Sequence, residues 1–196
     1  AFESFRNHFG PDVGLMHDAA LASYNYDEAL VVGRALEATD FIWFEEPIDD
    51  RLHDQNKQLC DLLDIPIAGA ETLMHDPALG ELWLKDGAVD VLRVHARHGT
   101  TAVQRLAATA ADLGTNVEPN AYGPLFGLVH AHVVCGIQNV DWFEIAPPPN
   151  GAAMGEAIGL MSPVVPVNGA VTYPAAPGWG TEWDWKQFEK KRVAIL

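Results

Sequence analysis

The sequence predicts an α/β fold built on a parallel sheet, and three observations lead to this class. Short apolar runs bounded by Asp, Gly or Pro alternate with amphipathic helical segments through most of the 196 residues. The runs lack a polar face, which is typical of strands that helices cover on both sides. The alternation repeats about every 26 residues, enough for one strand and one helix joined by right-handed connections.

Each element is predicted from its own residues. In YDEALVVGRALEATD, Ala29, Val32 and Leu36 fall on one helical face, and Asp27 and Glu28 suit a helix N-terminus. The strand predictions are residues 13–17, 41–44, 65–70, 89–92, 115–118 and 140–143. The helix predictions between and after them are residues 26–40, 54–64, 76–87, 101–114 and 123–137.

Six strand–helix units fit between Pro11 and Ile145, and a Pro- and Gly-rich tail follows. A β/α barrel needs eight strands and about 250 residues. We therefore expect residues 1–146 to form the later part of a barrel whose first strands are absent, and residues 147–196 to pack on the barrel or on a cap. The alternative is an open doubly wound sheet. Its commonest ligand motifs, GxGxxG and GxxxxGK[ST], do not occur in the sequence.

Composition excludes several classes of partner. Twelve Lys and Arg against 27 Asp and Glu give a formal net charge of −15, which argues against nucleic acid and anionic membranes. The sequence has no run of 18 apolar residues and no signal peptide at its start. Cys60 and Cys135 lie singly in apolar segments, so we expect buried free thiols and a cytoplasmic protein.

Three carboxylates close successive apolar runs. Asp18, Glu45 and Glu71 are separated by 27 and 26 residues, so each step of one βα unit carries the next carboxylate to the same end of the neighbouring strand. Three converging carboxylates repel one another unless a cation or protons neutralise them, and all-oxygen ligands favour Mg²⁺. A single carboxylate would more simply cap a helix or pair with a cation, but three at consecutive strand ends predict a metal site.

Four motifs in order show a family resemblance. They are LMHDAALASYNYDEAL, FIWFEEPIDD, IPIAGAETL and GAVTYPAAPGWGTEWD, and the resemblance covers nearly all of residues 11–185. The sequence resembles the enolase superfamily, in its mandelate racemase/muconate lactonizing enzyme-like branch. The resemblance implies a (β/α)7β barrel, an N-terminal capping domain absent here, and one Mg²⁺ held by Asp18, Glu45 and Glu71. Glu46 is a neighbour of these ligands and not a ligand itself.

The resemblance also implies removal of a proton α to a carboxylate, but the acid–base residues depart from the family pattern. Arg93 stands where an Asp or Lys is expected, and Asn120 stands where a His is expected. Neither is a plausible base. His95 and His98 are the nearest substitutes because the unperturbed pKa of histidine suits proton transfer; the alternative for each is a surface or loop-anchoring histidine. Arg93 could instead grip a substrate carboxylate. Glu144 matches an acidic residue near the substrate carboxylate; the alternative is a buried ion-pair partner. The family's other base, a Lys-x-Lys pair, would precede Ala1.

These observations predict an enzyme, a Mg²⁺-dependent lyase that dehydrates a sugar acid to a 2-keto-3-deoxy acid. One alternative is a racemase or epimerase of a 2-hydroxy acid or similar carboxylate, which needs bases on both faces of the substrate. The other is a non-catalytic relative. We expect a small-molecule carboxylate substrate and a homo-oligomer, and we expect that the 196 residues do not fold as an independent active unit.

Overall fold

A five-stranded sheet carries the fold, and its strands lie in chain order. The computed structural model describes residues 1–20, 22–120, 123–145 and 150–194. The strands are His17–Asp18 (β1), Phe44–Glu45 (β2), Ile67–Gly69 (β3), Val91–Val94 (β4) and Val117–Pro119 (β5). The pairs β1–β2, β2–β3 and β3–β4 are parallel. The predicted α/β class with a parallel sheet is confirmed.

Helices separate the strands, as the periodicity predicts. They are Phe2–Phe9 (α1), Tyr26–Glu37 (α2), His53–Leu62 (α3), Pro77–Asp86 (α4), Thr100–Asp112 (α5), Gly123–Gly136 (α6), Asn150–Ala157 (α7) and Trp185–Lys191 (α8). Two 3₁₀ turns follow strands, at Glu71–Leu73 and Ala96–His98. No helix in the described part of the chain has the length and apolar character needed to cross a membrane.

Strand order separates the barrel from its alternative. A doubly wound sheet reverses its strand order at a switch point, whereas these strands run β1-β2-β3-β4-β5. The order is that of part of a β/α barrel, as predicted.

The sixth predicted strand is wrong: within the described residues, 140–143 form no strand. The carboxylate of Glu118, 2% exposed, accepts hydrogen bonds of 3.0 Å from the backbone N–H groups of Asp141 and Trp142. A buried side chain therefore takes two donors that a strand would give to a neighbour.

The chain divides into two compact units: Ala1–Val94 with Ala108–Val117, and His95–Ala107 with Glu118–Leu196. The boundary predicted from the sequence lies at residues 146–147, outside the described residues. It stays a prediction.

The first unit has a continuous apolar core beneath its first strands. Phe44, Leu36, Leu59 and Ile67 are fully buried there, each contributing about 1.5–3 kcal/mol of apolar burial. A capping box begins α2: the Asn25 side chain accepts the N–H of Glu28, and the Glu28 side chain accepts the N–H of Asn25. The core fixes β2, and hence the backbone of Glu45 at its end.

The second unit is held by α6 and by the C-terminal segment. Leu128, Ala131 and Val133 of α6 are buried, and an antiparallel bridge joins Leu160 to Trp183. Both cysteines are free, as expected, but Cys135 on α6 is exposed and Cys60 is only partly buried, which corrects the expectation of buried thiols. The apolar residues of α6 are spread over all of its faces. The apolar neighbours of a residue in this sequence therefore do not indicate which face of the helix is buried.

Candidate active site

The three predicted metal ligands lie at the carboxyl ends of consecutive parallel strands. Asp18 ends β1 and Glu45 ends β2, and these two residues are Cα partners in the strand register. Glu45 is in turn the partner of Ala68 in β3, and Glu71 begins the 3₁₀ turn two residues after that strand ends. The fold therefore brings the backbones of the three residues to one end of the sheet.

Glu45 is the most enclosed of the three carboxylates. It is 6% exposed, and its Oε1 lies 2.7 Å from Nε of Arg93, whose side chain is also buried. Its Oε2 accepts a 3.1 Å hydrogen bond from the indole N–H of Trp43, and the Arg93 guanidinium lies 5.9 Å from the centroid of that ring. Arg93 lies within β4, one residue before the strand ends, and neutralises Glu45.

The other two carboxylates are more open. Asp18 is exposed and accepts a 2.6 Å hydrogen bond from the backbone N–H of Ala20, while Glu71 is half-buried.

The donor set and strand register fit a hard divalent cation, since all three residues offer carboxylate oxygens from one end of the sheet. In this structure, however, the side chains of Asp18, Glu45 and Glu71 do not converge on one point. Among the described residues, no group of three His, Cys, Asp or Glu side chains is close enough to hold a metal.

Backbone strain concentrates beside these carboxylates. Ala20, Glu46 and Ala70 have positive φ angles of 39°, 44° and 67°, and each lies within two residues of a predicted ligand. A left-handed conformation costs a non-glycine residue about 1–2 kcal/mol. Strain that persists in this way is typical of functional sites.

Glu46 does not share the surroundings of Glu45. Its side chain is buried and lines a cavity of about 160 Å³. Asp49, Asp50, Arg51 and Thr72 also line this cavity. The interpretation of Glu46 as a neighbour of the ligands stays a prediction.

In the second unit, His95 has a defined tautomer. It is 4% exposed, and its Nδ1 accepts a 2.8 Å hydrogen bond from the backbone N–H of Arg97. The neutral ring therefore carries its hydrogen on Nε2. Its ring centroid lies 4.4 Å from that of Phe126 and 4.7 Å from that of His130. His130 Nε2 accepts the N–H of Ala96 at 3.0 Å and so fixes the turn after His95.

The other two sequence candidates differ in burial. Asn120 follows β5 and is 4% exposed, and its Oδ1 is buried with no hydrogen-bond partner in the described part of the chain. Glu144 is exposed, and its role stays a prediction.

Sequence reasoning missed Trp43 and Asp50. Strand alternation puts residues 43 and 45 on one face, so Trp43 could have been found from spacing. Asp50 contacts residues 20 and 22 positions later, and no local pattern shows that contact.

The chain is similar in sequence to known proteins. D-galactarolactone cycloisomerase of Agrobacterium fabrum is 28% identical over 186 residues, which are 90% of this chain and 48% of that protein. Arabinonate dehydratase of Saccharolobus solfataricus is 29% identical over 146 residues, 73% of this chain and 38% of that protein. The chain thus spans less than half the length of each of these curated relatives.

A solved structure is also similar to this chain. D-glucarate dehydratase of Agrobacterium tumefaciens, complexed with magnesium, superposes with a TM-score of 0.85 at 31% identity, covering 99% of this chain and 50% of that one. A family model, the enolase C-terminal domain-like family, matches residues 1–187. The chain therefore belongs to the enolase superfamily, in its C-terminal domain-like family, as the motifs around Asp18, Glu45 and Glu71 predict.

Proposed function

We propose that the protein dehydrates a sugar acid to a 2-keto-3-deoxy acid, beginning with removal of the proton α to the carboxylate. The observation that carries the proposal is the register pairing of Asp18 with Glu45 at the ends of adjacent parallel strands, with Glu71 following the next strand. Two of the three compared proteins are named as dehydratases of sugar acids, which favours this reaction over racemisation.

Asp18, Glu45 and Glu71 would hold Mg²⁺. When bound, the ion supplies positive charge beside the substrate carboxylate and so makes the neighbouring C–H more acidic. The residues of the chain prepare this step by holding Glu45: Arg93 and Trp43 bind its two oxygens at 2.7 and 3.1 Å. The guanidinium fork of Arg93 is also suited to a substrate carboxylate.

We propose that His95 donates a hydrogen bond to the departing hydroxyl. Its Nδ1 is occupied by the N–H of Arg97, so Nε2 is the nitrogen that presents a hydrogen. The same bond makes His95 a poor proton acceptor. The base therefore lies among residues other than Arg93, Asn120 and His95, and we propose that Asn120 and Glu144 contact the substrate.

A product assay tests the reaction. The protein as its gene encodes it is incubated with Mg²⁺ and a panel of aldonic and aldaric acids, and 2-keto products are detected as semicarbazones. Dehydration gives a keto product with at least one acid. Exchange of the α-hydrogen in D₂O without a keto product would instead indicate a racemase. The same panel with no exchange and no product would mean a non-catalytic relative.

Matched variants connect the product to the site. Glu45→Gln should abolish most of the keto product, whereas Asp12→Asn, an exposed carboxylate variant away from the strand ends, should not. Sedimentation of the same protein tests the proposed homo-oligomer.

A further inference from the structure

Asp50 has a carboxylate whose bonds all go to the residues that flank Glu71. It lies five residues after β2 and is 4% exposed. Its Oδ1 accepts a 2.8 Å hydrogen bond from the N–H of Ala70. Its Oδ2 accepts the N–H of Thr72 at 3.0 Å and the hydroxyl of Thr72 at 2.7 Å. One buried carboxylate thus holds the backbone on both sides of Glu71.

The backbone at this point needs such an anchor. Ala70 has φ 67° and ψ 17°, a left-handed conformation that an alanine rarely adopts. The bond from its N–H to Asp50 stabilises that conformation, and the chain then turns directly into the 3₁₀ turn that starts with Glu71. A Cβ at Gly69 would lie 3.2 Å from Asp50 Oδ1, so the glycine gives the carboxylate room to approach.

Asp50 is itself held in place. Its carbonyl oxygen accepts a 2.8 Å hydrogen bond from the indole N–H of Trp83 in α4. The carbonyl of Asp49 accepts a 2.9 Å bond from the side-chain amide of Asn56 in α3. The carboxylate therefore projects from a loop that two helices fix, and that loop is the continuation of the strand carrying Glu45.

We propose that Asp50 is a positioning residue for the metal site: it sets the direction in which Glu71 leaves the sheet and couples the loop of Glu71 to the loop of Glu45. The inference rests on the proposed function, in which both glutamates hold Mg²⁺. Thr72 takes part through its hydroxyl. Loss of a residue that orients a metal ligand lowers metal affinity by about 10–100-fold.

The test measures binding of Mn²⁺, a paramagnetic stand-in for Mg²⁺, by electron paramagnetic resonance titration of the protein as its gene encodes it. Asp50→Asn keeps size but places an amide NH₂ against backbone donors. The matched control is Asp90→Asn. Asp90 is a half-buried aspartate, and its Oδ2 accepts a 2.8 Å bond from the N–H of Ile67, at the opposite end of the same strand β3.

We expect Asp50→Asn to weaken Mn²⁺ binding at least tenfold and Asp90→Asn to leave it unchanged, although both lower the melting temperature of the metal-free protein. A milder pair applies if Asp50→Asn does not fold: Thr72→Val should weaken Mn²⁺ binding, and Thr72→Ser, which keeps the hydroxyl, should restore it. Equal Mn²⁺ affinities across wild type, Asp50→Asn and Thr72→Val would overturn the positioning role alone. A wild type that binds no Mn²⁺ would overturn the proposed function as well.

Discussion

Removing the cation of the Arg93–Glu45 pair tests how much the pair stabilises the protein and whether Glu45 is a metal ligand. At 2.7 Å and an effective dielectric constant of about 20, the Coulomb attraction is about 6 kcal/mol, and desolvation of both groups offsets much of it. Arg93→Met keeps the apolar stem but leaves the Glu45 carboxylate buried at 6% exposure. In chelator we expect the free energy of unfolding to fall by about 3–5 kcal/mol.

A surface ion pair of similar length is the control. Lys85 Nζ lies 2.6 Å from Glu81 Oε1 one turn apart on α4, with 53% of the lysine side chain exposed. Lys85→Met should therefore cost only about 0.3–0.5 kcal/mol. Urea melts of both variants in EDTA measure the two losses. Equal losses would refute the view that burial makes Glu45 depend on its partner.

Magnesium should then replace part of the missing charge in Arg93→Met. If Glu45 is a metal ligand, Mg²⁺ at 100 times its dissociation constant stabilises the variant by about 2.7 kcal/mol relative to chelator, and Lys85→Met responds only as the wild type does. Repeating the urea melts with Mg²⁺ measures this recovery. If Mg²⁺ stabilises the wild type but not Arg93→Met, then Arg93 is needed to hold Glu45 in position as a metal ligand.

The remaining expectations concern turnover, pH and backbone. Glu45→Gln should lower turnover of the encoded protein about 10²-fold or more, measured as keto-acid formation with saturating Mg²⁺; a twofold change would contradict its assignment as a ligand. Burial raises the pKa of Asp90 above 3.8, so the stability that protonated Asp90 contributes is present below pH 3.8 and is lost as the pH rises through the raised value. The wild type should therefore lose stability relative to Asp90→Asn as the pH rises from 3.8 through the raised pKa of Asp90, and parallel urea-melt curves would contradict this. Gly159 has φ 94°, and a Cβ added there would lie 2.6 Å from a backbone oxygen. Gly169 has φ 76°, and a Cβ added there would have nothing within 4 Å. Thermal melts should show Gly159→Ala about 1–3 kcal/mol less stable than Gly169→Ala.

The ends of the strands could be predicted because the signals that mark them lie in neighbouring residues of the sequence. A buried strand must be an apolar run, and the first polar residue after it marks where the chain leaves the sheet. This reasoning placed Asp18 and Glu45 directly after strands predicted at residues 13–17 and 41–44. In the structure both carboxylates are the last residues of strands, but β1 and β2 begin only at His17 and Phe44. The reasoning placed Glu71 correctly after β3, although a left-handed Ala70 and a 3₁₀ turn intervene.

The same local reasoning failed where long-range contacts decide the backbone. Residues 140–143 have the apolar character of a strand, yet the buried carboxylate of Glu118 takes the N–H groups of Asp141 and Trp142. Cys135 looked buried from its neighbours and is exposed. In both cases the deciding partner lies elsewhere in the chain, and residue composition around the position does not show it.

The sequence by itself determined the α/β class, the order of the first five strands and the helices between them, and the three carboxylates at consecutive strand ends, because hydrophobic periodicity and spacing act over a few residues. The tertiary structure alone decided which partners those carboxylates have. Arg93 neutralises Glu45 from 48 residues away, and Asp50 anchors the residues on both sides of Glu71. Such contacts depend on how strands stack side by side, and the sheet brings together side chains that the chain order keeps apart.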